Sequence, residues 1–184
     1  MQTIGSKNFS PLSTDAEGYE AAIYVCNLRE LPAHIETLRP SRLISLVPGY
    51  EQPQTPAHLK THQHLRLELD DIAAPLADHI LPEASHVRRL VDFAIGWEGD
   101  APLLIHCAAG ISRSTATAYI TACIHNPSAN EAEIAQKLRD VSPTATPNRR
   151  FIALAARKVA SASAIISRRH SNRNSSRTTV RSIR

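Results

Sequence analysis

Apolar residues along this chain fall into short runs and stripes punctuated by proline and glycine. The first, AAIYVCNL (residues 21–28), is rich in apolar and β-branched side chains and predicts a strand. LPAHIETLRP predicts a short helix ended by Pro40, and RLISLVPG a second strand closed by Pro48 and Gly49. After a loop holding Pro53 and Pro56, HLRLELDDI alternates Leu65, Leu67 and Leu69 with polar residues, the pattern of a half-buried strand. The alternation stops at Asp70 and Asp71.

The period then lengthens. In EASHVRRLVDFAIGW (residues 83–97), Ala84, Val87, Leu90, Val91, Ala94 and Ile95 share one helical face. APLLIHC is short and wholly apolar, as expected of a strand buried on both faces of a parallel sheet. RSTATAYITACIH predicts an alanine-rich helix stopping near Asn126 and Pro127. NEAEIAQKLRDV predicts another, with Asn130 as N-cap and glutamates in the first turn. A last stripe comprises Phe151, Leu154, Ala155, Val159, Ala162 and Ile166. Strands alternating with helices predict an α/β fold with a mostly parallel central sheet flanked by helices. Residues 1–20 read as a flexible lead-in, 21–166 as the domain, and 167–184 as a basic, Arg/Ser-rich disordered tail.

Charge sharpens that division. From residue 168 onward the 184-residue chain has six arginines and no acid, whereas the preceding part carries 15 Lys/Arg against 17 Asp/Glu. The domain is therefore close to neutral and offers no basic face for nucleic acid. The tail's charge suits acidic proteins or a membrane surface, or simply a solvated terminus. Cys26, Cys107 and Cys123 are odd in number and widely spaced. That excludes a disulfide framework or zinc ribbon and favours a reducing, cytoplasmic setting. No apolar run reaches membrane-spanning length, and MQTIGSKNFSPLSTD has no secretory pattern.

The chemistry concentrates in HCAAGISRS, residues 106–114. A buried strand ends at His106 and a helix begins near Ser112 and Arg113, so CAAGIS must turn sharply, with Gly110 free to take a positive φ. Successive N–H groups in such a turn form an anion-binding nest, reinforced by the positive end of the following helix. Arg113 can bind two oxygens of a tetrahedral anion across it. The same dipoles favour a thiolate at Cys107, which is expected to titrate well below a free thiol. A thiolate facing phosphorus in an electropositive cup implies covalent phosphoryl transfer to sulfur.

The stretch matches H-C-x-x-G-x-x-R-[S/T] and resembles the signature of cysteine-dependent protein tyrosine phosphatases. Its A-G-x-S-R-S form is most similar to the dual-specificity branch, including small bacterial members. The resemblance spans roughly residues 21–160. It implies Cys107 as nucleophile, Arg113 as phosphate clamp, and backbone amides of Ala108, Ala109, Gly110, Ile111, Ser112 and Arg113 around the phosphate. It further implies that Ser114 stabilises the sulfur leaving group and that His106 braces the loop. Strand packing and helix capping are the plainer readings of His106 and Ser114. No cofactor is implied.

The resemblance also requires an aspartate in a loop after a strand, to protonate the departing oxygen. ELDDIAAP fits. Leu65, Leu67 and Leu69 set the inward face, so Asp71 continues it and Asp70 points away. The pH optimum is then expected to be bell-shaped and mildly acidic. In LRDVSPTATPN, Arg139 and Asn148 resemble residues that support the signature loop, with an exposed helix arginine and an N-cap asparagine as the equally good plainer readings. His58, His62 and His64 lack a carboxylate or cysteine at ligand spacing and read as a solvated loop rather than a metal site. Cys26 and Cys123 read as buried residues, with a protective disulfide to oxidised Cys107 as the other option.

The uncharged loop argues for phosphoprotein or another singly phosphorylated ester over phosphoinositides, and no separate tyrosine-bearing loop is evident. Two other readings of the cup remain: a non-catalytic phosphopeptide-binding module, and an arsenate-reductase-like cysteine redox enzyme.

Overall fold

The computed structural model describes residues 7–9, 23–99 and 101–178. Its centre is a five-stranded sheet of order β1-β2-β5-β3-β4. The strands are β1 (Lys7–Phe9), β2 (Ile23–Asn27), β3 (Arg42–Leu46), β4 (His64–Leu67) and β5 (Leu103–Cys107). β2, β5, β3 and β4 are parallel; β1 lies antiparallel on the edge against β2. β5 is central and buried along its whole length, as its apolar run foretold.

The helices are α1 (Leu31–Leu38), α2 (Ala84–Gly96), α3 (Arg113–His125), α4 (Glu131–Val141) and α5 (Arg149–Thr178). Side chains alternate across β5, so Leu103, Ile105 and Cys107 join the larger core with Phe151 and Trp97, while Leu104 joins the smaller one with Cys26, Leu31 and Leu43. The α2 stripe buries Val87, Leu90, Val91 and Ala94; Ala84 is exposed and Ile95 half-buried. Eleven of the thirteen α3 residues are buried, which explains why, past Arg113, its residues are mostly small and uncharged. Asn130 caps α4, accepting from the Ala132 N–H at 2.8 Å.

Two boundaries differ from the sequence reading. The lead-in contributes an edge strand at residues 7–9, three residues whose pairing is made by backbone alone and leaves no side-chain pattern. At the other end, the helix does not stop where its apolar stripe does. Ile166 is the last residue described as buried, yet α5 continues to Thr178, and Arg169 donates to the Ile95 carbonyl at 2.6 Å. Burial ended with the apolar pattern; helical hydrogen bonding, which any non-proline residue can sustain, did not. The remainder of the lead-in and residues 179–184 lie outside the described residues.

Register sets the functional edge. Asn27 and Leu46 both pair with Cys107, and Leu46 pairs with Leu67, so the four parallel strands finish level. Their outgoing loops gather on one side of the sheet, the side where α/β folds place ligands.

Candidate active site

Cys107 closes β5, and the loop 108–112 turns the chain into α3 at Arg113. Gly110 makes the turn possible. Its φ is +72°, and a Cβ there would lie 2.9 Å from the Cys26 carbonyl carbon and 3.0 Å from the Asn27 nitrogen. Both the left-handed backbone and the close approach to β2 require glycine. The Leu28 N–H donates to the Ala108 carbonyl at 3.2 Å, fastening the other side of the loop to the end of β2.

The loop wraps the sulfur. The Gly110 N–H donates to Cys107 Sγ at 3.2 Å, and Ser114 Oγ lies 3.1 Å from the same atom. Ala108, Ala109 and Ile111 are exposed at the rim, while Cys107 is 1% exposed at the floor. Arg113 is buried; its Nη1 donates to the Leu69 carbonyl at 2.9 Å, and its buried Nε has no hydrogen-bond partner. A buried guanidinium N–H left over at a strand–loop–helix junction is a donor that a tetrahedral oxyanion can take up.

Asp71 comes to this edge from the far side of the sheet. Its Oδ1 accepts from Ser112 Oγ at 2.7 Å and from Asn148 Nδ2 at 2.9 Å. Asp70 is employed elsewhere. Its Oδ2 accepts from the Ile80 N–H and its own N–H donates to the Ile80 carbonyl, both at 2.8 Å, clamping residues 70–80 into a closed loop. Asp71 is exposed and Asp70 half-buried, and β4 ends at Leu67, so strand alternation does not carry through to this pair; their hydrogen-bond partners are what set them apart.

Asn148 binds the site on three counts. Besides Asp71, its N–H donates to the Ser112 carbonyl at 3.4 Å, and its Oδ1 caps α5 by accepting from the Phe151 N–H at 3.0 Å. Arg139 does not join it. This residue is exposed on α4 and lines a groove of about 360 Å³ with Tyr119, Leu138, Thr146 and Arg149. The reason is helical phase: α4 turns Ile134 and Leu138 inward, which carries Arg139 outward.

The histidine cluster also reads differently in three dimensions. His64 is buried on β4, whereas His58 and His62 are exposed, His58 with its Nε2 3.1 Å from the Pro40 carbonyl. His106 Nε2 lies 2.6 Å from Ser45 Oγ, and Ser45 Oγ in turn lies 2.8 Å from His64 Nε2. Thr55 Oγ1 completes the row, 3.0 Å from His64 Nδ1. Sequence reasoning missed Ser45, Thr55 and His64. The available signal was Ser45 itself, a lone hydroxyl inside an apolar strand.

Burial pushes His106 down to about 4; the nearby Cys107 backbone favours the protonated ring, while His64 and Arg113 oppose it. Burial likewise pushes His64 down to about 4, with Arg66 acting in the same sense. In the unfolded chain both rings take up protons near 6.5, so the unfolded state binds more protons between about 6.5 and 4. Stability is therefore expected to be whole above pH 6.5 and to fall as pH drops toward 4. Urea midpoints measured across that window should decline, and a flat profile would contradict neutral, buried rings. Burial pushes the Cys26 thiol up to about 12 and the Cys123 thiol up to about 11, so both resist becoming thiolates.

The fold is that of the dual-specificity and tyrosine phosphatases, as the signature's resemblance implied. The chain superposes on DUSP15 over 79% of its length and 88% of that protein's, with a TM-score of 0.59 and 19% identity. It is similar over 74% of its length to a human tyrosine phosphatase-like serine/threonine/tyrosine-interacting protein, covering 89% of that chain (TM-score 0.56, 15% identity). The third relative is OH1 of the Orf virus, a tyrosine phosphatase of triple substrate specificity, at 82% and 91% coverage (TM-score 0.54, 20% identity). No protein-family model and no curated sequence matches the chain. Among the described residues, no helix is long and apolar enough to cross a membrane.

Proposed function

We propose that the protein is a cysteine-dependent phosphomonoester hydrolase of the protein-tyrosine and dual-specificity kind. One observation carries this reading. Cys107 Sγ sits within reach of the Gly110 N–H and Ser114 Oγ, beside a buried Arg113 with a free Nε, and Asp71 is held across the same loop.

In the first step the Cys107 thiolate attacks phosphorus and the ester P–O bond breaks. Asp71 supplies the proton that the departing oxygen needs. Both hydrogen bonds to its carboxyl fall on Oδ1, which fixes the group's orientation and leaves Oδ2 to carry that proton. Arg113 and the loop amides stabilise the charge on the transferring phosphoryl group. In the second step water attacks the phosphocysteine, Asp71 takes the water's proton, and the P–S bond breaks. Ser114 Oγ then stabilises the returning thiolate. His106 braces the strand end beneath the nucleophile.

The substrate reading follows from the rim. Signature-loop positions 108, 109 and 111 are uncharged, and the neighbouring loops carry Glu68, Asp70 and Asp78. Tyr50, Leu76, Ile80 and Ile111, four exposed large apolar residues, lie on the loops leaving β3, β4 and β5. Acidic and apolar surroundings disfavour polyphosphorylated lipids and acidic phosphopeptides. Singly phosphorylated protein sites flanked by apolar or basic residues fit them best. In a panel of phosphopeptides and phosphoinositides, kcat/KM should be highest for peptides with basic or apolar flanks and lowest for phosphoinositides. A preference for phosphoinositides would overturn the substrate class. Absence of phosphate release from any ester, p-nitrophenyl phosphate included, would overturn the enzyme reading and favour a phosphopeptide-binding module.

The arsenate-reductase-like reading has less support. Cys26 belongs to the core on the other face of the sheet from Cys107, and burial keeps both remaining thiols from acting as resolving thiolates. The near-neutral domain and reducing cysteine usage remain our grounds for a cytoplasmic setting without nucleic-acid binding.

A further inference from the structure

The row Thr55–His64–Ser45–His106 crosses three adjacent strands and ends beside the nucleophile. Its hydrogen-bond arithmetic is restrictive. Ser45 has one proton, and both imidazoles reach its oxygen through Nε2, at 2.8 Å from His64 and 2.6 Å from His106. Ser45 must donate to one ring and accept from the other, so one Nε2 is protonated and the other is bare. The two tautomers are coupled.

The direction of the row follows from its two ends. Thr55 Oγ1 can donate to or accept from His64 Nδ1 at 3.0 Å and so permits either sense. At the other end, His106 Nδ1 is buried with no hydrogen-bond partner. The Cys107 backbone next to the ring favours its protonated form, and with Nε2 turned to Ser45 the nitrogen left to face that backbone is Nδ1. The row therefore runs toward the nucleophile: Thr55 donates to His64 Nδ1, His64 Nε2–H donates to Ser45, and Ser45 donates to His106 Nε2.

We propose that His64 is a positioning residue, which through Ser45 holds His106 as its Nδ1–H tautomer with that N–H next to Cys107. The inference rests on the phosphatase reading only for its consequence, a correctly presented thiolate. Phase and burial support a dedicated role. His64 opens β4, pairs in register with Leu43, and is 7% exposed, although apolar residues would fill such a site without a desolvation cost. The other groups facing the row are Arg66, on β4 with His64, and Arg113, at the start of α3 near His106; both cations favour neutral rings.

Nitrogen-15 NMR of the full chain, histidine-labelled and assigned by single substitutions, tests this directly at pH 7. Wild-type protein should show His64 protonated at Nε2 and His106 protonated at Nδ1. Either ring in the opposite tautomer overturns the proposal, whatever becomes of any variant. His64→Phe removes the donor to Ser45. It should shift His106 away from the Nδ1–H form and slow iodoacetamide alkylation of Cys107 at pH 6 roughly tenfold. His64→Gln, which can place an amide N–H near the Nε2 position, should restore much of the labelling rate. A folded His64→Phe protein with unchanged His106 tautomer and labelling rate would reduce His64 to core packing. None of these readouts uses turnover, so they stand or fall separately from the phosphatase assignment.

Discussion

Replacing Cys107 by serine should lower phosphate release from aryl phosphates by at least on the order of 10⁴-fold while leaving phosphate binding nearly intact. The two halves of that result have separate physical sources. Binding is expected from the amides of residues 108–113 and from Arg113, whose buried Nε has no protein partner. Apart from the Gly110 N–H, which donates to Cys107 Sγ, none of these groups is hydrogen-bonded to the exchanged atom. Turnover, by contrast, needs a nucleophile that is ionised at working pH. The groups around the sulfur, the Gly110 N–H at 3.2 Å and Ser114 Oγ at 3.1 Å, are hydrogen-bonding groups suited to an anion. Neither is a general base that could deprotonate a serine hydroxyl, and buried His106 turns its Nε2 to Ser45. Phosphate release by the variant within tenfold of wild type would remove Cys107 from the mechanism. Weak phosphate binding in both proteins, measured by isothermal titration, would remove the nest.

The second large effect is expected at Asp71. Asp71→Asn should slow hydrolysis of alkyl phosphates by roughly 10²- to 10⁴-fold, the range for loss of general acid catalysis. Phosphoserine peptides, whose leaving alkoxide must be protonated, should suffer most. p-Nitrophenyl phosphate, whose leaving group departs as a stable phenolate, should suffer least. The amide can still accept from Ser112 and Asn148, so the variant tests the proton and spares the loop. Asp70→Asn is the matched control. Its wild-type carboxylate is occupied by the Ile80 N–H at 2.8 Å, and the amide oxygen can take over that bond. A leaving-group dependence that follows Asp70 and not Asp71 would reverse the assignment.

Much of this site was readable before any coordinates, because its chemistry is local. Cys107, Gly110, Arg113 and Ser114 lie within eight residues, and the strand before them and the helix after them are set by their own apolar runs. Gly110 could be assigned a positive φ because a turn that tight leaves few alternatives. Alternation did not separate Asp71 from Asp70, because β4 ends at Leu67 and leaves Asp71 exposed; the bonds to Ser112 and to Ile80 tell them apart. Asn148 was picked out only by resemblance, and its hydrogen bonds to Asp71 and its backbone bond to Ser112 exceed what an N-cap alone would need. Arg139 was equally eligible on that ground. The phase of α4, decided by where Ile134 and Leu138 pack, turned it outward.

The histidines mark the limit of such reading. Three of them between two proline-bounded stretches look solvated, since loops are polar and no ligand spacing joins them. His64 is instead the first residue of β4, and its partners Ser45 and His106 lie 19 and 61 residues apart in sequence from their respective neighbours. Strand order brings them together: β5 beside β3 and β3 beside β4 is a matter of sheet assembly, which no single strand's pattern specifies. The far ends of the chain follow the same logic. β1 is made by backbone pairing and has no pattern to read, and α5 outruns its stripe because a helix needs no buried face to continue.

On its own, then, the sequence determined the elements, the buried central strand and the tight turn that carries Cys107, Gly110 and Arg113, since each depends on periodicity or sterics within a few residues. The tertiary structure alone decided that Asp71 meets Ser112 and Asn148, that Asp70 clamps its own loop, and that His64 and Ser45 stand behind His106. Those pairings join segments distant along the chain, and only the packing of one sheet and its helices sets which of them come within hydrogen-bond reach.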